Sequence, residues 1–295
     1  MRVVLAGASG LIGTALRDSL RDDGHAVTSL VRRGPASADE RQWSPRDGEL
    51  DPGILTGADA VVCLSGAGVA DRRWTSSYKQ TLRASRLDPV GTLARAVAAS
   101  GGPPVFLAAS AIGYYGDTGE RQVDETAGCG QGFLAELCRD WEAATAPAVD
   151  AGARVVNLRT GIVLTRSGGL VKRLVPIVRL GVAGRLGSGQ QFIPWISLAD
   201  EVAAIRFLLE HDVSGPVNLA APVPARNAEF VSTLARLLHR PAAIPVPAFA
   251  MKIALGELAQ DALGGQRAVP SKLLAAGFSP EHADLESALR WALAH

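Results

Sequence analysis

The chain has 295 residues, 47% of them hydrophobic and 20% charged, which suits one large or two modest domains and excludes a disordered chain. A formal net charge of +1 gives no reason to expect nucleic acid or an acidic membrane surface as partner. No apolar run of about 18 residues occurs, so no membrane span is expected.

"RVVLA" (2–6) reads as a short buried strand closed by Gly7. It starts at residue 2, and the reading expects no leader before it. "LIGTALRDSLRDDG" has helical periodicity and stops at Gly24, and "HAVTSLVRR" follows as a second strand. Strand, helix and strand within about 30 residues make a βαβ unit. The rhythm continues with a strand at 58–66, a long helix at 76–100 bent near Pro89, and a strand at 104–110. A helix at 133–149 and a strand at 153–164 complete it. Alternation of this kind predicts an α/β protein with a doubly wound parallel sheet covered on both faces. Beyond about residue 165, Gly and Pro punctuate shorter segments. Residues 1–165 are therefore expected to form a dinucleotide-binding domain, with a sheet contribution from about 190–220. Residues 166–295 are expected to form a smaller α/β lobe.

Cys63, Cys129 and Cys138 form no C-x-x-C pair and read as free thiols of a reducing, cytoplasmic compartment. His25, His211, His239, His282 and His295 show no ligand spacing, so no metal site is expected.

"GASGLIG" (7–13) places three glycines between the first strand and the first helix. In a Rossmann unit one glycine allows the tight turn, one lets backbone approach a pyrophosphate, and one lets helix pack on strand. The helix N-terminus then offers N–H groups to the phosphates. The cofactor contacts expected here are Gly7, Ser9, Gly10, Leu11, Ile12 and Gly13. An acid about 20 residues on would hold the ribose 2′-hydroxyl of NAD. That place reads "SLVRR", with Arg32 and Arg33 instead, so NADP(H) is the expected cofactor.

"GASGLIG" together with "SAIGYYG" (110–116) resembles the extended short-chain dehydrogenase/reductases, the sugar-nucleotide epimerases and their relatives. "RLDPVGTLARAV" is similar to the family's Asn-Val-x-Gly-Thr helix, with Asp88 at the asparagine place, and Arg159 and "GSGQQFIPWISLADEVAAI" resemble its later signals. A narrower likeness, in "DRRWTSSYK", "LCRDWEAA" and residues 246–293, is to an atypical epimerase-like subgroup. Its members end in a small C-terminal domain of unknown function, and some carry the name of cell-division inhibitor.

The resemblance implies an extended Rossmann fold and a reaction at a nicotinamide. Active members of the wider family carry Tyr-x-x-x-Lys on the helix after the Ser…Tyr-Gly strand, as proton donor and its activating cation. Here that helix reads "FLAELCRDWEAA". Aligning Glu142 with the family's glutamate puts Leu134 at the tyrosine place and Cys138 at the lysine place. The chain's Tyr78, Tyr114 and Tyr115 precede Leu82, Thr118 and Gly119 by four, so no Tyr-x-x-x-Lys exists at any register.

Ser110 matches the family serine that bonds the substrate oxygen. Of Tyr114 and Tyr115, one matches the structural Tyr-Gly and the other is the candidate replacement acid. Cys138 reads as a buried hydrophobe or, alternatively, a thiol donor. Tyr78-Lys79 reads either as a cluster over the ligand or as a solvated basic helix start. The family resemblance adds Leu64, Ser65 and Gly66, at the end of "CLSG", with Arg86 and Ala109, to the cofactor contacts. Three functions follow as expectations: an NADP(H)-dependent oxidoreductase with a rearranged acid, a catalytically silent NADP(H)-binding sensor, and a sugar-nucleotide epimerase. The expected partners are an unidentified small-molecule substrate and, in the assembly the reading allows, a second copy in a homodimer.

Overall fold

The computed structural model describes residues 1–102 and 104–295. The chain opens with β1 (Arg2–Ala6), α1 (Leu11–Asp22), β2 (Ala26–Val31), β3 (Glu40–Gln42) and β4 (Ala60–Cys63). Next come α2 (Ser76–Ala99), β5 (Val105–Ala111), β6 (Gln122–Val123), α3 (Phe133–Ala143), α4 (Ala146–Asp150) and β7 (Val155–Thr160). Then follow β8 (Ile162–Leu164), α5 (Gly169–Arg179), β9 (Phe192–Ile193), β10 (Trp195–Ser197), α6 (Leu198–Glu210) and β11 (Gly215–Leu219). The chain ends with β12 (Ala225–Arg226), α7 (Asn227–Leu237), α8 (Ala248–Leu255), α9 (Leu258–Leu263), β13 (Arg267–Ala268), α10 (Ser271–Ala275) and α11 (Leu285–Ala294).

Seven parallel strands form the main sheet in the order β11-β7-β5-β4-β1-β2-β3. β1 and β4 are apolar throughout their interiors because both faces are covered. On one face Leu16 and Leu20 of α1 and Ile205 and Leu208 of α6 pack on Leu5, Val62 and Leu158. On the other, Val90, Leu93 and Val97 of α2 meet Val4, Val61 and Phe106. The chain winds outward in both directions from β1, so the crevice between the ends of β1 and β4 is the topological switch point where such sheets bind ligands.

Three boundaries differ from the sequence expectation. The helix foreseen at 133–149 is two helices, because Pro147 has no N–H to continue α3, and Thr145 donates its hydroxyl to the Glu142 carbonyl. The strand foreseen at 153–164 changes sheets at Gly161. A Cβ there would lie 2.7 Å from the Pro194 carbonyl oxygen, and β8 leaves to pair with β10. The sheet contribution from the later chain is Gly215–Leu219 alone; β9 and β10 lie in two-stranded pairs outside it. By contrast α2 runs unbroken through Pro89.

The C-terminal segment is laced into the rest of the molecule. β13 pairs with β6, and Lys272 donates its backbone N–H to Glu125. Asp200 accepts the backbone N–H groups of Glu281 and His282. No helix among the described residues is long and apolar enough to cross a membrane.

Candidate cofactor and reaction site

The glycines of the first loop have separate tasks. Gly7 turns the chain at φ +84°, and a Cβ there would stand 2.7 Å from the Leu64 carbonyl carbon. At Gly13 a Cβ would lie 2.1 Å from the Gly7 oxygen, so this glycine lets α1 close on β1. Gly10 has an ordinary φ of −78°, is exposed, and caps α1 with no side-chain bond. The first-turn N–H groups of α1 are thereby left for a ligand.

Beside this loop lies a cleft of about 1650 Å³. That exceeds the roughly 300–1,000 Å³ of drug-sized sites, as an extended ligand requires. Of the expected contacts, Gly7, Ser9, Gly10, Arg32, Arg33, Leu64, Ser65 and Gly66 line it. Leu11, Ile12, Gly13, Arg86 and Ala109 do not. Leu11, Ile12 and Gly13 form the first turn of α1 behind the loop. Arg86 is buried, donates to the Leu82 and Ala67 carbonyls, and lies 5.0 Å from the Trp141 ring centre. It props the loop after β4 from behind, and Gly66 is small so that the guanidinium can approach; a Cβ would meet its carbon at 3.3 Å. The sequence reading missed Arg17, Trp43 and Arg46, which also line the cleft, as does Asp88.

At the end of β2 the two arginines part company. Arg33 makes a bidentate pair with Glu40 at 2.7 Å for both bonds. That guanidinium, with the Ala36 N–H, holds the Glu40 carboxyl down at about 2. Arg32 is exposed and has no ion pair among the described residues. Glu40 reaches this place on β3, a strand too short and polar to be foreseen.

The end of β5 carries Ser110 into a buried polar network. Ser110 donates its hydroxyl to Glu142 Oε1 at 2.6 Å. Glu142 accepts two further bonds from Arg159, each 2.8 Å. Arg159 also donates to the Tyr115 hydroxyl at 2.9 Å, which donates to Asn218 Oδ1 at 2.8 Å. Burial pulls the Arg159 guanidinium down, but its bonds and charge pairing with Glu142 outweigh this and set it above its usual range. Burial pushes the Tyr115 phenol up despite Arg159, so it stays neutral well past neutral pH. Tyr115 is thus the structural tyrosine. Tyr114 lays its ring 3.5 Å from the Arg159 guanidinium and edge-on to Tyr115, and its hydroxyl has no protein partner among the described residues.

The helix that lacks tyrosine and lysine is packed where they would stand. A Cβ on Gly113 would lie 3.5 Å from Leu134 Cβ and 3.9 Å from Cys138 Sγ. Leu258 of α9 joins the cluster holding Phe133, Leu134 and Leu137. Burial pushes the Cys138 thiol up to about 12. Cys138→Ala is therefore expected to cost about 1 kcal/mol of stability and to leave cofactor binding unchanged. Urea unfolding and NADPH titration of the variant check this, and lost binding by a folded variant overturns the packing role.

Tyr78 and Lys79 both have partners within the protein. Tyr78 is buried and bonds the Gly68 carbonyl, while Lys79 pairs with Glu257. Trp74 bonds the Val69 carbonyl at 2.8 Å and Arg73 the Ile253 carbonyl. The "DRRW" segment is the joint between α2 and the α8–α9 hairpin.

The sequence model of the NAD dependent epimerase/dehydratase family matches residues 3–220. The chain belongs to that family. A domain of unknown function, DUF1731, matches residues 246–292. An epimerase family protein of Mycobacterium tuberculosis is 49% identical over 292 residues, covering 98% of this chain and 97% of its own. Mouse epimerase family protein SDR39U1 is 36% identical, covering 98% and 99%. Among solved structures, human epimerase family protein SDR39U1 (isoform 2), with NADPH, superposes with a TM-score of 0.91 at 33% identity, covering all of both chains. A nucleoside-diphosphate sugar epimerase from Corynebacterium glutamicum superposes with a TM-score of 0.81 at 34% identity, over 99% of this chain and 58% of that one. The sheet, its glycine loop and the C-terminal domain place the chain among the atypical extended short-chain dehydrogenase/reductases within this epimerase family.

Proposed function

We propose that the chain is an NADP(H)-dependent oxidoreductase acting on a small molecule without the family's usual tyrosine. One observation carries the cofactor choice. Glu40, the acid that β3 brings beside β2, is taken up by Arg33 and the Ala36 N–H, while Arg32 has no ion pair among the described residues and lines the cleft. A 2′-phosphate suits that arrangement, and a ribose diol finds no free carboxylate there. The NADPH in the human relative's structure supports the same choice.

Residues 7–10 and the start of α1 would hold the pyrophosphate, and Leu64, Ser65 and Gly66 would approach the adenosine side. When bound, the nicotinamide supplies or accepts hydride. Of the candidate acids, Tyr114 has the one hydroxyl not already engaged within the protein, and it takes the donor role in this reading.

Arg32→Ala is expected to weaken NADPH about tenfold to a hundredfold, the value of a charge-assisted bond, and to change NADH little. Arg33→Ala should act less, because Arg33 already has Glu40 as partner. Fluorescence titration with both cofactors reads this, and equal losses for NADPH and NADH sink the assignment.

A second reading, a cofactor-binding sensor without turnover, draws on the engagement of Ser110 with Glu142 and of Tyr115 with Asn218. A panel of ketones, enones and secondary alcohols with NADPH or NADP⁺ separates the two. Turnover that falls in Tyr114→Phe supports the oxidoreductase; tight NADPH binding with no turnover supports the sensor.

A further inference from the structure

The sequence of α8 is AFAMKIAL, with one charge in eight residues. A helix apolar on all sides is normally buried. None of its residues is buried; Phe249 is 68% and Ile253 70% exposed. Leu180, at the end of α5, is 77% exposed, and Val182 and Ile244 are exposed beside it. The segments bearing them are joined. Ile244 donates its backbone N–H to Ala183 and Val246 to Arg185, and α8 starts at Ala248, two residues past Val246. These paired segments and the helix that follows from one of them form a tip of the smaller lobe.

The segments bearing these apolar side chains are rich in cations, although Glu257 and Asp261 follow α8, and Asp71 and Glu286 pair with Arg173 and Arg236. Residues 161–199 contain five Lys or Arg and no Asp or Glu, and residues 230–256 contain three and none. Arg179, Arg185, Arg240 and Lys252 have no ion pair among the described residues. The near-zero net charge of the whole chain hides this, because the acids lie outside these two segments, and it underlies the sequence-based expectation of no membrane partner.

We propose that this tip docks on an anionic lipid bilayer. Leu180, Phe249 and Ile253 enter the headgroup boundary while Arg179, Arg185 and Lys252 meet lipid phosphates. Exposed apolar groups ringed by cations are the composition such surfaces bind. A second copy of the chain fits the tip poorly, since a two-fold contact there would bring the same unpaired cations together. None of Leu180, Phe249 and Ile253 lines the cofactor cleft.

The full chain is mixed with vesicles of phosphatidylcholine alone or with one-third phosphatidylglycerol, and sedimented at low and high salt. Binding is expected to the anionic vesicles only and to fade at high salt. Phe249→Ser with Ile253→Ser, and separately Arg179→Glu with Lys252→Glu, should each cut partitioning about tenfold or more. NADPH titration confirms that each variant is folded, and it also keeps failure here separate from failure of the cofactor assignment. Three results overturn the proposal: no sedimentation of wild type with anionic vesicles, sedimentation of both variants equal to that of wild type, or a stable dimer cross-linked through residues 180 and 249.

Discussion

Gly10→Val is expected to abolish NADPH and NADH binding while leaving the fold intact, whereas Gly13→Val is expected to destabilise the domain itself. The two glycines belong to one motif but face opposite ways. A Cβ at Gly10 meets nothing nearer than the Gly7 oxygen, at 3.3 Å, and the residue is exposed at the cleft with ordinary backbone angles. Its branched side chain would stand where a pyrophosphate must approach the α1 N-terminus. Losing even two charge-assisted bonds there weakens binding by more than about a hundredfold. At Gly13 a Cβ would stand 2.1 Å from the Gly7 oxygen, a backbone atom that cannot yield. Forcing extra atoms into such a contact costs about 1–3 kcal/mol or more. Thermal unfolding with cofactor titration on both variants tests the division of labour. A folded Gly10→Val protein that still binds NADPH normally would remove the loop from the site.

The loop was legible in the sequence because its logic is local: strand, three glycines and helix lie within about 20 residues, and a continuous apolar run and a period of 3.6 mark the flanking elements. The fate of Arg33 was not. Glu40 comes from β3, three polar residues with no strand signature, and only the parallel pairing of β2 with β3 brings the two together. Ser110, Glu142 and Arg159 could each be picked out, but not their connection, because 32 residues separate Ser110 from Glu142 and 17 separate Glu142 from Arg159. A signal was present nonetheless. "VVNLRT" reads as a buried strand, and an arginine inside such a strand needs an acid within reach. The exposed tip has no local signal: an apolar helix such as "AFAMKIAL" is normally buried, and only this fold leaves it uncovered.

The largest loss of stability is expected where the polar network crosses the core. Arg159 is 3% exposed and Glu142 12%, and the two share a bidentate contact. Glu142→Ala leaves the buried guanidinium with the Tyr115 hydroxyl as its one side-chain hydrogen-bond partner among the described residues, beside the Tyr114 ring. Removing one member of such a pair costs about 3–5 kcal/mol. Ser110 also loses its acceptor in that variant, since its hydroxyl donates to Glu142 Oε1. The double variant Glu142→Leu/Arg159→Met leaves no charge behind and is expected to recover most of the loss. Tyr115 then keeps its bond to Asn218, so the link from the turn after β5 to β11 survives. Urea unfolding of wild type and the two variants gives the ordering. A loss below about 1 kcal/mol for Glu142→Ala, the level of an exposed pair, would mean that the network is solvated and that Ser110 is free to turn toward the cleft.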